Sequence, residues 1–190
     1  AFRSKDSSQS SEKIIQKFTT YHRLLISGEG QSGKTSLCKV FFRSLLDQNL
    51  VPLYIEDRNG RFLGNVHSKL EKAYKEQYIS SLPFEALDKN VIVPIIDDFH
   101  FAKHKDKIVT ELSGYNKQIL IVDDIFRLNL KDEKSIVSYH QFKIEELKPS
   151  LRNKLIKRWM ELSEIEESER LNYNSEYQAL DKTTEFVNSA

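Results

Sequence analysis

An α/β chain built on a parallel sheet is predicted by three features of this sequence. From Tyr21 onward, short apolar runs alternate with stretches of helical periodicity. The first apolar run passes into the first helical stretch through Gly28-Glu29-Gly30-Gln31-Ser32-Gly33-Lys34-Thr35, and two later apolar runs, Ile92 to Ile96 and Ile119 to Val122, each end in a pair of aspartates.

The elements follow in order. Residues 1–20 read as a polar, serine-rich leader in which Ser11 is placed to cap a short helix through Phe18. Leu24-Leu25-Ile26, a short apolar run of the kind a covered parallel strand shows, marks a strand over 23–27. Leu37, Val40, Phe41 and Leu45 recur at helical spacing and predict a helix over 34–48. The alternation continues with a strand at 51–56, a helix at 66–80, a strand at 91–97, a helix at 103–114 and a strand at 118–123. Tyr139 to Glu145 is a fifth strand candidate, because Phe142 and Ile144 alternate with polar residues. Pro149 then opens a helix whose Leu151, Leu155, Trp159 and Leu162 share one face, expected to pack on the core. Glu164 to Glu169 is an acidic surface run, and residues 171–187 read as a last helix carrying Leu171, Leu180 and Val187. The expected organisation is a leader at 1–20, a core at 21–162 and a C-terminal helical segment at 163–190.

The glycine-rich run fits G-x-x-x-x-G-K-[ST] at every fixed position, and it lies between a strand and a helix as a phosphate-binding loop must. Small residues let the chain curl so that successive N–H groups point at one anion. The nucleotide-binding set is therefore Gly28, Glu29, Gly30, Gln31, Ser32, Gly33, Lys34, Thr35 and Ser36. Lys34 is expected to reach the β and γ phosphates and Thr35 to place its hydroxyl on Mg²⁺, while the helix opening at Ser36 aims its positive end at the phosphates.

Such a loop needs a carboxylate at the end of a neighbouring buried strand to help hold Mg²⁺. Asp97 with Asp98, and Asp123 with Asp124, both qualify. The first pair is favoured by analogy with three-layer P-loop NTPase sheets ordered 5-1-4-3-2, in which the fourth strand inserts between the third and the first. Asp97 would hold the metal and Asp98 would act as general base toward the attacking water. The competing reading for either pair is loop-capping aspartates where a strand ends. His100 could sense the γ-phosphate, or be an exposed polar residue at a strand end. Arg127, just beyond the fourth strand, could contact the γ-phosphate with its guanidinium, or be a surface arginine. His22 and His140 receive no role.

Composition narrows the field. With 190 residues, 39% hydrophobic and 11% aromatic, the chain can bury one full core. Lys and Arg number 29 against 28 Asp and Glu, a net charge of +1, so no global field points to nucleic acid or an anionic membrane. Cys38 is the single cysteine, which excludes an intrachain disulfide and suits the cytoplasm. No apolar stretch approaches the roughly 18 residues of a membrane span, and the N-terminus lacks a signal-peptide layout. A start at Ala1 favours an excised piece of a longer protein. A guanine-reading Asn-Lys-x-Asp element is missing, since Asn116-Lys117-Gln118-Ile119 ends in isoleucine; adenine is preferred by exclusion. Leu112-Ser113-Gly114-Tyr115 is followed almost at once by strand residues, unlike the signature loop of transporter ATPases, which a full helix separates from its acidic strand.

From about Tyr21 to Leu162 the chain resembles the STAND class of signalling NTPases, relatives of AAA+ proteins that include NACHT and NB-ARC modules, and within it bacterial members acting in defence or stress signalling. The resemblance rests on the loop Gly28 to Thr35, on Ile95-Ile96-Asp97-Asp98-Phe99-His100, on the strand Ile119 to Phe126, and on Phe142-Lys143-Ile144-Glu145-Glu146-Leu147 leading to Leu155-Ile156-Lys157-Arg158-Trp159. It implies a cytoplasmic ATP/ADP switch using Mg²⁺: ADP holds a closed monomer, and exchange for ATP allows homo-oligomers that activate an effector domain outside this chain, with sensor domains also outside it. The family's Gly-x-Pro turn has no counterpart, because Pro149 follows Lys148, and the winged-helix lid that follows such a core is missing, residues 163–190 offering only its start. Hydrolysis by the isolated core is therefore expected to be slow. The alternative is an AAA+ or archaeal-type ATPase acting on nucleic acid or a protein partner, with Lys103, His104, Lys105 and Lys107 as a local basic edge; that run also reads as a solvated helix face.

Overall fold

The computed structural model describes Ile14, Phe18 and residues 21–56, 65–129, 136–145 and 149–162. The chain divides into two compact units, Ala1–Ile144 and Glu145–Ala190.

In the first unit the strands are β1 (Arg23–Gly28), β2 (Val51–Glu56), β3 (Ile92–Asp97), β4 (Gln118–Asp123) and β5 (His140–Lys143). They form one parallel sheet ordered β2-β3-β4-β1-β5, the expected order read from the other edge. The intervening helices are α1 (Lys34–Leu46), α2 (Val66–Gln77), α3 (Lys105–Leu112) and α4 (Asp124–Asn129). The expected helices over 34–48, 66–80 and 103–114 are thus each shorter by two to four residues, the usual uncertainty where terminal turns fray.

Strand alternation sorts the core into two layers. Leu25, Leu53, Ile96, Leu120 and Val122 face α2 and α3, packing with Leu70, Ala73, Ile108 and Leu112. Leu24, Ile26, Val93, Ile95, Ile119 and Ile121 face α1, packing with Cys38, Phe41 and Leu45, and with Ile14 and Phe18. A strand buried on both faces loses its polar alternation, which is why β3 and nearly all of β4 are apolar runs. Pro94 lies inside β3, in register with Leu53 of β2, and the ladder between β3 and β4 is confined to Ile95 and Ile96.

Parallel strands end at one edge, and here that edge collects the chemistry. Gly28 lies in register with Asp123, and Glu56 with Asp97. Ligands of open α/β sheets bind outside these carboxyl ends.

In the second unit α5 (Pro149–Leu162) opens at Pro149 as expected. Its expected covered face is corrected: Leu151 is 50% and Leu155 58% exposed, while Ile156 is buried. The buried position lies one residue further, about 100° around the helix. The side chains of Trp159 and Leu162, the acidic run from Glu164 and the last helix at 171–187 lie outside the described residues, as does most of the leader.

Candidate functional site

A cleft of about 420 Å³ opens at the carboxyl edge of the sheet. One wall is the loop between β1 and α1, through Gly30, Gln31 and residues 33–36; the other carries Asp98, His100, Phe101 and Asp123.

The loop's shape follows from particular residues. A Cβ on Gly28 would stand 2.4 Å from Ser32 Oγ and 3.2 Å from Ile144 Cβ, so a side chain there would have to turn Ser32 away and press on Ile144. Gly33 has φ +86°, in the left-handed region, and Gln31 also takes a positive φ of 61°. Gly30 is different: a Cβ there would meet nothing within 4 Å, so the fold itself leaves room for a side chain. Gly33 caps α1 without a side-chain hydrogen bond, leaving the first-turn N–H groups of the helix open toward the cleft.

Lys34 Nζ donates to the carbonyls of Gly28 at 2.7 Å and Glu29 at 2.8 Å, and lies 3.8 Å from Asp123 Oδ2. Its side chain is only 12% exposed, folded back over its own loop. Thr35 Oγ1 donates to Asp97 Oδ2 at 2.9 Å. Asp97 is 1% exposed and takes two further hydrogen bonds, from the Tyr54 hydroxyl at 3.0 Å and from the Asp98 N–H at 3.0 Å. These three donors satisfy a carboxylate that burial would otherwise penalise heavily. Burial and the Asp97 charge push the Tyr54 phenol well up, which keeps it a donor.

Asp98 occupies the left-handed region at φ 57°, ψ 30°, a conformation aspartate tolerates better than most residues, and so leaves the strand toward the cleft. Burial and the adjacent Asp97 hold its carboxyl above the ordinary carboxylate value. His100 is half-buried rather than exposed, and accepts a hydrogen bond at Nδ1 from the Asp123 N–H at 3.3 Å. Asp123 Oδ1 accepts from the Ile125 N–H at 2.9 Å, capping α4. Behind it, buried Ser27 donates to Asp124 Oδ1 at 2.8 Å, and Asp124 also pairs with Lys143.

The structure thus brings together Lys34, Thr35, Asp97 and Asp98, and gives Asp124 a structural partner set instead of a place in the cleft. Arg127 lies in α4, its side chain outside the described residues. Tyr54 was missed by sequence reasoning: nothing in Leu53-Tyr54-Ile55-Glu56 announces a hydroxyl aimed across strands at Asp97.

A nucleotide with Mg²⁺ fits this donor set. Ser32 Oγ is buried and has no hydrogen-bond partner within the protein, open first-turn N–H groups border the cleft, and Thr35 with Asp97 offers the one or two oxygen ligands Mg²⁺ takes when phosphates and waters complete its shell. Among the described residues no cluster of three or more His, Cys, Asp or Glu could hold a metal alone, and no helix is long and apolar enough to cross a membrane.

No family model matches the chain, and no curated protein matches it. Solved structures do. AMPPCP-bound DnaA from Aquifex aeolicus is similar with TM-score 0.54 and 16% identity, the match covering 91% of this chain and 56% of that one. Cdc6p from Pyrobaculum aerophilum is similar with TM-score 0.54 and 12% identity over 80% of this chain and 49% of that one. The ADP form of the ORC2 protein from Aeropyrum pernix gives TM-score 0.50 and 12% identity over 80% of this chain and 50% of that one. The chain spans about half the length of these proteins, and the likeness is one of fold: a P-loop NTPase α/β sheet.

Proposed function

We propose that this chain is the ATP-binding and slowly hydrolysing regulatory core of a STAND-type signal-transduction protein, exchanging ADP for ATP to control homo-oligomerisation and an effector domain outside the chain. The observation that carries the nucleotide reading is the meeting of Lys34 and Thr35 at one cleft, with the buried Asp97 behind them, its Oδ2 2.9 Å from Thr35 Oγ1. The nucleotide-bound state of the DnaA and ORC2 structures that share the fold supports it.

In this mechanism the N–H groups of residues 33–36 bind the phosphates, and Lys34 exchanges the Gly28 and Glu29 carbonyls for phosphate oxygens. Thr35 and Asp97 would hold Mg²⁺, which when bound would supply charge neutralisation at the phosphate oxygens. Asp98 accepts the proton of the attacking water; burial and the adjacent Asp97 charge raise its pKa, which makes it a stronger base than an ordinary carboxylate. Arg127 is assigned the terminal phosphate. Single-turnover phosphate release from ATP tests Asp98: Asp98→Asn should keep binding and lose release at least about tenfold, and equal release in both proteins removes Asp98 from the chemistry. Light scattering of the full-length protein tests the switch, which requires larger species with a non-hydrolysable ATP analogue than with ADP.

The second reading, an AAA+ or archaeal-type ATPase working on nucleic acid or a protein partner, draws on the same cleft. Part of its basic edge is engaged elsewhere: Lys105 donates to the Ala102 carbonyl at 2.7 Å and lies 5.0 Å over the Phe126 ring, and Lys107 pairs with Glu111 at 3.9 Å. DNA binding that weakens steeply with salt would favour this reading.

A further inference from the structure

The wall of the cleft opposite the phosphate loop is acidic. Asp98 and Asp123 line it, and an ionised carboxylate only accepts hydrogen bonds. Of the four side chains on that wall, Asp98, His100, Phe101 and Asp123, His100 is the one that offers an N–H.

The structure fixes which nitrogen carries it. His100 sits in the single helical turn Phe99–Phe101 after Asp98, its ring against Phe101 at 4.0 Å between centroids, with Phe126 at 6.4 Å. Nδ1 accepts the Asp123 N–H, so the ring proton resides on Nε2. Burial, outweighing the nearby Asp98 and Asp123 charges, holds the imidazole below its ordinary pKa, which favours the neutral ring with its single donor.

We propose that His100 donates its Nε2–H to the terminal phosphate of a bound nucleoside triphosphate and so distinguishes triphosphate from diphosphate. The inference rests on the nucleotide reading of the cleft. A diphosphate is satisfied by the loop N–H groups and Lys34, whereas a donor on the far wall gains a partner only when the third phosphate is present. A neutral donor suits this wall because it adds no charge that Asp98 or Asp123 would capture.

The test is calorimetric titration of wild type, His100→Ala and His100→Gln with Mg²⁺-AMPPCP and Mg²⁺-ADP, with Lys34→Ala as the loop control. His100→Ala should weaken AMPPCP by about tenfold or more while ADP stays within about twofold, and His100→Gln, whose amide N–H extends to a similar reach, should recover most of the loss. Equal weakening of both ligands, or of neither, overturns the inference. Wild-type protein that binds neither nucleotide, or binds them no better than Lys34→Ala does, overturns the nucleotide reading and this inference with it. A measurement on unmutated protein guards against a variant that fails to fold: the His100 Nε2–H correlation in ¹H–¹⁵N spectra should shift with AMPPCP and not with ADP, and an identical response to both contradicts the proposal.

Discussion

Thr35 Oγ1 donates to Asp97 Oδ2 at 2.9 Å, joining the second residue of α1 to the last residue of β3 across 62 positions of chain. Asp123 is nearer the loop strand in register, paired with Gly28, yet its carboxylate is turned to the Ile125 N–H and stands 3.8 Å from Lys34. The loop hydroxyl therefore bonds Asp97, the carboxylate that the sequence favours only by analogy, and not Asp123.

Asp97→Asn should reduce the Mg²⁺-dependent gain in ATP affinity by about tenfold or more, and Asp123→Asn only a few-fold, as measured by titration with and without Mg²⁺. The reverse ranking would move the metal role to Asp123. Asparagine is preferred to alanine because Asp97→Ala would strip the partners from Thr35, Tyr54 and the Asp98 N–H, at about 1–3 kcal/mol for each buried group left unsatisfied.

Tyr54→Phe removes one of three donors to Asp97 and should lower stability by about 1 kcal/mol in denaturant unfolding. An unchanged midpoint would mean that the hydroxyl is equally satisfied by water in the unfolded chain.

Asp98→Asn should raise the melting temperature at pH 7 even as it removes the proposed base. The Asp98 carboxyl is held above its ordinary value of 3.8 by burial and the Asp97 charge, so its ionised form is less favourable folded than unfolded. That penalty is present at neutral pH and fades as pH falls through the raised folded value; below the ordinary value both states are protonated and the gain should vanish. A melting temperature that drops at pH 7 would contradict this sign.

The three loop glycines should separate. Gly28→Ala meets Ser32 Oγ and should cost about 1–3 kcal/mol of stability by overpacking. Gly33→Ala should cost about 1–2 kcal/mol for its left-handed backbone. Gly30→Ala has open space and should leave stability nearly unchanged, any loss appearing only in nucleotide affinity. Thermal melts with and without ADP distinguish the three.

Much of this was legible in the residues themselves. Apolar runs such as Leu24-Leu25-Ile26 betray strands covered on both faces, and the spacing from Gly28 to Thr35 has few other physical uses. The sheet order came by analogy, because strand order depends on long-range packing that periodicity does not encode. Periodicity also misplaced the covered face of α5: a stripe of leucines shows that a helix has an apolar side, but only its surroundings decide that Ile156 is buried and Leu155 is not. The Tyr54 contact and the bond from Asp123 to His100 depend on neighbouring strands ending level with one another, a property of the folded sheet alone.

Calorimetric titration of the wild-type chain and Lys34→Ala with ATP, ADP and GTP, with and without Mg²⁺, tests the central claim most directly. The account predicts binding of ATP and ADP in preference to GTP, strengthened for ATP by Mg²⁺ and lost in Lys34→Ala. Nucleotide binding that survives Lys34→Ala unchanged would place the ligand elsewhere and contradict the assignment of this cleft.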